Sequence, residues 1–428
     1  MNMYFNVPAA HNEPSGRAAR SGEEHNGGTR ALAGHVRYLT LGGLWPRARG
    51  TPYLVYAALV QLCGAAYVAV CLLSVYSARG DVAGISHTLM HTLEISSGVL
   101  KAGLFFRKRR AFYRLVRDLE LMESRDWGCP ELEAARRWAR WMTGPLAAVL
   151  CYSVRPQTAA STLQVSLSAY IYALILLWLP SPLLAGGDEW LLPLVQIHGV
   201  DWSRRPGAYA ALYALQCAVP LTQVPVVIGL DCFFVAAMLH VGALLQLLGQ
   251  RVSSLRVSSD SDSEDSASDD GRHILYAELS SCIQSHQKIT KFLQDLEEAM
   301  SGMVLVQLSS TMVNLCTALY QQTKIKDVSS ALQYAMLLPF HTAQIYFYCW
   351  TADNITQQGE AVSLAAYSSH WTGAGIPFQK ALSIVMARAH KPLLVTAGHL
   401  YPINRAAFVA LMKASYSYYT LLRQLDTK

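Results

Sequence analysis

The sequence predicts an all-α polytopic membrane protein with seven transmembrane helices, a cytoplasmic N-terminus and an extracellular C-terminus. Hydrophobic residues make up 52% of the 428 positions and charged residues only 15%. The charges cluster, and five stretches contain no Asp, Glu, Lys or Arg: residues 52–78, 156–187, 207–230, 299–320 and 328–350. Each stretch reaches the roughly 20 residues that an α-helix needs to cross about 30 Å of hydrocarbon.

The first two predicted spans, residues 52–76 and 84–106, are joined by a short link and therefore form a hairpin. The second span contains Glu94, whose insertion costs roughly 2.5–3.5 kcal/mol even on lenient scales, so we expect it to face the bundle interior. The following segment, 107–140, is rich in Arg and Lys. Because such residues mark cytoplasmic loops, this segment and the N-terminus are predicted to be cytoplasmic.

The third span is best placed at Leu163–Leu179, which Pro180 follows, because the uncharged run 141–154 is too short to cross a bilayer. The fourth span, 208–230, continues as apolar helix through 232–250. That length exceeds what a bilayer needs. The excess is therefore expected to protrude into the cytoplasm and to pack against protein.

Residues 253–270 alternate Ser with acidic residues, which predicts a disordered loop because the segment has little apolar surface to bury. The same pattern would suit an acid-directed kinase. The fifth span (299–320) follows an amphipathic stretch at 274–298, and the sixth span is 328–350. An amphipathic cytoplasmic helix is predicted at residues 376–397 and the last span at 404–424. Seven spans that start inside leave the C-terminus outside, opposite to G-protein-coupled receptors.

The predicted organisation has five parts. They are a cytoplasmic segment 1–51, four spans in 52–250, an acidic cytoplasmic loop 251–273, two spans with cytoplasmic anchor helices in 274–398, and the last span with its extracellular tail in 399–428.

The sequence contains no pattern that indicates an enzyme or a cofactor. It has no Gly-rich phosphate loop, nucleophile elbow or His-Glu-x-x-His motif, and its histidines are not at metal-ligand spacing. Most of the nine cysteines lie in apolar runs, which favours free buried thiols over disulfides. The arginines of 107–140 flank a span and are expected to attract anionic membrane lipids rather than nucleic acid. The N-terminus lacks the pattern of a cleavable signal peptide, so the first span is expected to direct insertion.

The last predicted span is unusual because Tyr and Ser alternate within it, at residues 415–419. A helix with so many polar groups is poorly suited to contact lipid on every side. It suits a wall between protein and water, as in a pore.

Three stretches resemble the insect odorant receptor family. The first includes Leu279, Cys282, His286 and Gln287, with Leu315-Cys316 at the end of the fifth span; the second runs from Tyr348-Cys349-Trp350 through Asn354 to Trp371; and the third is the tail, 388–423. The resemblance covers roughly residues 100–425 and is firmest after residue 275. The tail differs from those of gustatory receptors and of the family's co-receptor, which indicates a ligand-tuning subunit.

The resemblance implies an odorant-gated, non-selective cation channel that forms a heterotetramer with the co-receptor in the plasma membrane of olfactory sensory neurons. The cytoplasmic helices would form the anchor that holds subunits together, and their amphipathic composition supports this; a membrane-surface role is the alternative. The implied gate is Leu421, with Gln424, Leu425 and Tyr418 beside it. Spacings of three and four place Leu421, Gln424 and Leu425 on one helical face, where a ring of Leu can close a pore by dewetting. Packing against lipid or helices is the alternative.

The resemblance also implies a pocket for a small volatile ligand within the outer halves of the second, third, fourth and sixth spans. Aromatic walls with a few polar tips suit such a ligand, whose affinity must come mainly from apolar burial. Ordinary packing is the alternative for each residue. The candidates are His87, His91, Tyr172, Trp178, Tyr209, Tyr213, Gln216 and Tyr334.

Three other readings stay open: a gustatory-type receptor, a metabotropic seven-helix receptor and a secondary transporter. Transporters often contain internal repeats and broken helices, and Pro220 and Pro225 are the hint of a break here. The sequon Asn354-Ile355-Thr356 is predicted to be cytoplasmic and unglycosylated.

Overall fold

The computed structural model describes residues 32–45, 51–78, 82–126, 156–180, 190–197, 200, 202–255, 269–324 and 328–426. Residues 31–428 form one compact unit. The α-helices of the described part are α1 (Ala33–Leu41), α2 (Thr51–Ser77), α3 (Val82–Asp126), α4 (Pro156–Trp178), α5 (Pro206–Ser253), α6 (Asp269–Lys324), α7 (Val328–Tyr367), α8 (Ile376–Ala389) and α9 (Arg405–Asp426). A 3-10 turn at Trp202–Arg204 precedes α5, and strands β1 (Thr396–Ala397) and β2 (Tyr401–Pro402) lie between α8 and α9.

Seven of these helices, α2 to α7 and α9, each overlap one of the seven predicted spans. The shortest, α9, has 22 residues, which is enough to cross a bilayer. By length and hydropathy alone, three helical segments qualify as spans: Thr51–Ser77, Pro206–Ser253 and His273–Lys324. Helices α3, α7 and α9 contain more polar residues, which must face protein or water rather than lipid. The polar faces of these helices are therefore the candidate functional surfaces.

The helices extend further than the predicted spans. Helix α3 continues to Asp126, well past the predicted end of its span, and α6 joins the predicted amphipathic stretch and fifth span without a break. The predicted loop 253–270 is helical at both ends, because α5 reaches Ser253 and α6 starts at Asp269. Residues 256–268, the run 141–154 and most of the N-terminal segment lie outside the described residues.

The prediction of a helix over 376–397 was wrong at the C-terminal end. Helix α8 ends at Ala389, and Thr396–Ala397 instead pair antiparallel with Tyr401–Pro402. Pro392 restricts helix continuation, and the turn of the hairpin uses left-handed backbone at Gly398 (φ 62°) and His399 (φ 56°). The hairpin gives the chain a fixed path into α9.

The β1–β2 hairpin is fastened to α6. Ser301 Oγ donates to the Thr396 carbonyl (2.9 Å) and accepts from the His399 amide (3.0 Å). The Gly398 amide donates to the Ser301 carbonyl at 3.0 Å, and the Glu297 carboxylate accepts from both the amide and the hydroxyl of Thr396. These bonds fix the hairpin on one turn of α6.

Helix α5 is the central element. Over the most apolar 18 residues of α5, 94% of the residues are buried, whereas the corresponding value for α2 is 28%. The exposed leucines of α2 suit contact with lipid. Pro220 and Pro225 lie inside α5 without breaking it. The helix is continuous at both prolines, so the transporter-like break that they suggested in the sequence is not present in α5.

One hydrophobic cluster runs from the spans into the predicted cytoplasmic anchor. It includes Phe105 of α3, Phe233 of α5, Phe292 of α6, Ile355 of α7 and Leu382 of α8. The helices predicted to form the anchor therefore pack together within one chain. Seven cysteines in the described part are free thiols, as predicted from their apolar surroundings: Cys63, Cys71, Cys217, Cys232, Cys282, Cys316 and Cys349.

Candidate ligand cavity and last helix

A cavity of about 120 Å³ lies between α2, α3, α4, α5, α6 and α7, and is called the inner cavity below. Its wall is mostly apolar, with side chains such as Ile95, Ile175, Val224 and Phe340. Its polar lining residues are Tyr67, His91, Glu94, Gln223, Asn314 and His341. An apolar hollow with a few convergent polar groups is the usual form of a small-molecule site.

Several polar atoms around this cavity have no hydrogen-bond partner within the described part of the chain. They are Tyr67 Oη, His91 Nε2, Gln223 Oε1 and Asn314 Oδ1, all inaccessible to solvent. Buried polar atoms in folded proteins are nearly always paired, because an unpaired group costs about 1–3 kcal/mol. Four such atoms around one hollow are groups with which a ligand or a bound water would complete the bonding.

The aromatic cluster predicted from sequence lies beside the inner cavity. His87 and His91 stack edge-on at 5.0 Å between ring centroids, His91 and Trp178 at 5.3 Å, and Trp178 and Tyr334 at 5.6 Å. His91 and Trp178 line the cavity, while His87 and Tyr334 pack behind them against the same rings. These four predicted residues are therefore brought together.

The other four predicted ligand residues do not line the inner cavity and have structural partners. Gln216 accepts from the amides of Leu194 and Val195 and donates to the Val195 carbonyl. The hydroxyls of three tyrosines donate to backbone carbonyls: Tyr209 to Leu191 (2.8 Å), Tyr213 to Leu179 (2.7 Å) and Tyr172 to Leu221 (3.2 Å). These bonds hold the segment 190–197 and the end of α4 against α5. A ligand role for these four residues stays a prediction.

A buried polar network adjoins the inner cavity, and the sequence analysis did not single it out. Lys101 Nζ lies 2.6 Å from Asp231 Oδ1. Asp231 also accepts from the Tyr348 hydroxyl (2.7 Å) and from Gln344 Nε2 (3.2 Å). Gln344 Oε1 in turn lies 3.3 Å from Nδ1 of His341, which lines the cavity. The sequence does contain a signal for this network: Asp231 is the sole charged residue between positions 207 and 250, and a lone charge in an apolar run needs a buried partner.

Helix α9 has one packed face and one exposed face. Ala407, Leu411 and Ser415 face α6 and α7, whereas Lys413, Ser417, Leu421 and Gln424 are exposed at spacings of four and three along one side. The predicted gate residue Leu421 is 51% exposed, and its neighbour Tyr418 is 52% exposed. The side chain of Leu425 lies outside the described residues. The exposed face mixes a cation, hydroxyls and an amide with Leu421, which suits contact with water or another subunit rather than lipid alone.

Comparisons with known proteins agree on one family. A family model described as "7tm Odorant receptor" matches residues 81–416. Odorant receptor Or2 of Anopheles gambiae is 25% identical over 358 residues, which cover 82% of this chain and 88% of the relative. Odorant receptor 10 of Aedes albopictus is 25% identical over 229 residues, which cover 54% of this chain and 59% of the relative.

The fold is similar to that of a solved membrane receptor. Two structures of the insect olfactory receptor OR5 from Machilis hrabei, one of them in complex with eugenol, superpose with TM-scores of 0.74 (eugenol complex) and 0.75. The superposition covers 91% of this chain and 97% of that chain at 16% sequence identity. The seven spans and the helices predicted to be cytoplasmic thus follow a shared fold.

Proposed function

This chain belongs to the 7tm odorant receptor family. We propose that it is the ligand-tuning subunit of an odorant-gated, non-selective cation channel. The proposed assembly is a heterotetramer with the family's co-receptor in the plasma membrane of olfactory sensory neurons. The proposed orientation has the N-terminus and the anchor helices in the cytoplasm. The proposed stimulus is a small volatile molecule.

The observation that carries the channel proposal is the two-faced last helix. The exposed side of α9 contains Lys413, Ser417, Leu421 and Gln424, while the opposite side packs into the bundle. In an assembly of four subunits, such a face can border a water-filled pathway, and Leu421 can close it by excluding water. Lys413 lies eight residues before Leu421, about 12 Å along the helix, and its long side chain can extend toward the cytoplasmic end.

The inner cavity supports the ligand-gated part of the proposal. It is lined by six helices, and its amides are positioned by bonds to α2 and α3. A ligand there would contact α6 and α7, the two elements against which α9 packs. The cavity and the last helix are therefore linked through shared neighbours.

Cysteine accessibility tests this proposal directly. In cells that express the chain with the co-receptor, Ser417→Cys should make odorant-evoked current sensitive to a charged thiol reagent, because Ser417 is exposed on α9. Ser415→Cys is the matched control, since Ser415 is 1% exposed and faces the bundle. Equal sensitivity of both variants, or no odorant-evoked current from the unaltered pair with any volatile, would contradict the proposal.

A further inference from the structure

We propose that the inner cavity selects a small odorant whose polar head donates a hydrogen bond, an alcohol or an amine, over one whose head can only accept. The inference rests on the proposed odorant-gated function and concerns the chemistry of its ligand. It depends on which polar atoms around the cavity are free and on what fixes their orientation.

The amide of Gln223 presents its oxygen as a free acceptor. Its nitrogen donates to the Val60 carbonyl of α2 at 3.2 Å, which assigns the two ends of the amide. Gln223 is 1% exposed, and its Oε1 has no partner in the described structure. A Cβ at Gly64 would lie 2.8 Å from the Gln223 nitrogen, so the glycine leaves room for this arrangement. The free end of the amide at the cavity is therefore an acceptor.

The amide of Asn314 is oriented in the same sense. Its nitrogen donates to Glu94 Oε2 at 3.0 Å, and its oxygen is buried without a partner among the described residues. Both Asn314 and Glu94 line the cavity. This side of the cavity therefore adds a second free amide oxygen beside a carboxylate.

His341 adds a further acceptor. Its Nδ1 lies 3.3 Å from Gln344 Oε1, and that oxygen is assigned because Gln344 Nε2 donates to Asp231. An imidazole nitrogen beside a carbonyl oxygen must carry the proton, which leaves Nε2 of a neutral ring as an acceptor. Four lining residues, Glu94, Gln223, Asn314 and His341, thus present acceptors.

A ligand with a hydroxyl or an N–H group can donate to these acceptors, whereas a ketone or an ether cannot. Leaving buried acceptors unpaired penalises the acceptor-only ligand, which is how a site built for a hydroxyl rejects analogues without one. Tyr67 and His91 can bond either kind of head group, because a hydroxyl both accepts and donates, and Nε2 of a neutral imidazole accepts in one tautomer and donates in the other. The preference therefore comes from the four acceptors.

The volume limits the size of the ligand. An apolar cavity of about 150 Å³ in another protein accommodates benzene. At about 120 Å³ the inner cavity suits a ligand of about six heavy atoms. Four compounds of that size share the five-membered ring and differ at the head group: cyclopentanol, cyclopentylamine, cyclopentanone and methylcyclopentane. The amine is a cation at neutral pH, so cyclopentanol is the uncharged donor that compares directly with cyclopentanone.

The experiment measures odorant-evoked current for these four probes in cells that express the full chain with the co-receptor. We expect cyclopentanol, cyclopentylamine or both to act at concentrations about tenfold lower than cyclopentanone, with methylcyclopentane weakest. The stronger of the two donors identifies which head group the receptor takes. Cyclopentanone acting as well as both donors would overturn the proposal, and so would a receptor that responds to other volatiles but to none of these four.

A matched pair of variants tests the assigned residue. Gln223→Met keeps the length of the side chain, and we expect it to reduce the preference for donor over ketone about tenfold. Gln61→Met is the control, because Gln61 lies on α2 but does not line the cavity. An unchanged preference in Gln223→Met at normal surface expression would overturn the assignment. Absence of current with every volatile in the unaltered pair would instead refute the proposed function.

Discussion

Lys101 and Asp231 form a buried ion pair, with Lys101 Nζ 2.6 Å from Asp231 Oδ1 and side chains 1% and 9% exposed. The pair joins α3 to α5, and bonds from Tyr348 and Gln344 tie it to α7. Asp231 thus has three donors from two helices. A buried charge is tolerated when it is paired and hydrogen-bonded, so the partners depend on one another.

Breaking this pair should destabilise the bundle strongly. Lys101→Met leaves the Asp231 carboxylate without its cation, and we expect a loss of about 3–5 kcal/mol in the free energy of unfolding. Thermal unfolding of the purified protein in detergent measures the change.

The exposed pair of Arg117 and Asp118 provides the control. Their side chains are 66% and 44% exposed, so Asp118→Asn should change stability by less than about 1 kcal/mol. Similar losses in Lys101→Met and Asp118→Asn would contradict the buried-pair argument.

Gly398→Ala should disrupt the hairpin that leads into α9. Gly398 has φ 62°, where a side chain costs about 1–2 kcal/mol, and its new Cβ would lie 2.5 Å from Leu305 Cδ2. We expect a lower unfolding temperature and reduced surface expression. Gly373→Ala is the control, since a Cβ there meets nothing within 4 Å and Gly373 is not among the glycines with positive φ. Equal effects of the two variants would show that the turn does not need glycine.

Leu421→Gln should increase the current at rest, because a polar side chain at the proposed constriction would let water remain in the pathway. Whole-cell recording without odorant, in cells that also express the co-receptor, measures this leak. Leu400→Gln is the control: Leu400 is 80% exposed on the hairpin, outside α9. A resting current equal to that of the unaltered channel, at normal surface expression, would remove Leu421 from the gate.

The proposed orientation predicts the fate of two glycosylation sites. Asn354 should carry no glycan, because it is placed in the cytoplasm. In the folded chain its Nδ2 is also close to α5, where a Cβ on Gly242 would lie 2.6 Å away. The link between the third and fourth spans follows three crossings from the cytoplasm and is therefore outside in this orientation. Asp201→Asn creates a new sequon there with Trp202 and Ser203, and it should be glycosylated. Glycosidase-dependent gel shifts read both sites, and a glycan on Asn354 would reverse the orientation.

His286 should make the anchor region sensitive to acid. Burial, with a smaller contribution from the charge of Arg388, lowers the pKa of His286 below its ordinary value of 6.5. The folded protein thus favours the neutral ring, so this stabilisation is complete above pH 6.5 and is lost as the pH falls through the lowered pKa. Unfolding temperature should fall on the acid side in the unaltered protein and fall less in His286→Gln. His390→Gln, at an exposed position, should retain the full decrease.

Five of the seven spans followed from uncharged runs of bilayer length, which are a strong signal. The second and last spans contain charges and were placed by the short link to the first span and by the resemblance of the tail. Helix ends were harder to predict, since α3 and α6 continue outside the proposed bilayer where charges no longer mark a boundary. The strand at Thr396–Ala397 escaped prediction because its pairing depends on bonds to Ser301, almost a hundred residues earlier.

The candidate site was predicted in part. His91 and Trp178 line the cavity, but aromatic character alone did not separate them from Tyr209 and Tyr213, whose hydroxyls bond to backbone carbonyls. Gln223 and Asn314 were missed because the sequence does not show whether the amide oxygen of a single Gln or Asn in an apolar run has a hydrogen-bond partner.

Helix α6 is one uninterrupted rod that meets the cavity at Asn314 and the hairpin at Ser301. These residues are 13 positions apart, about 20 Å along the axis. Because a long helix is stiff, a tilt of α6 caused by a ligand in the inner cavity would also displace Ser301, and the hairpin bonded to Ser301 would pass that displacement to the first turn of α9. The bonds to Ser301 would thereby limit how far α9 can move independently of α6.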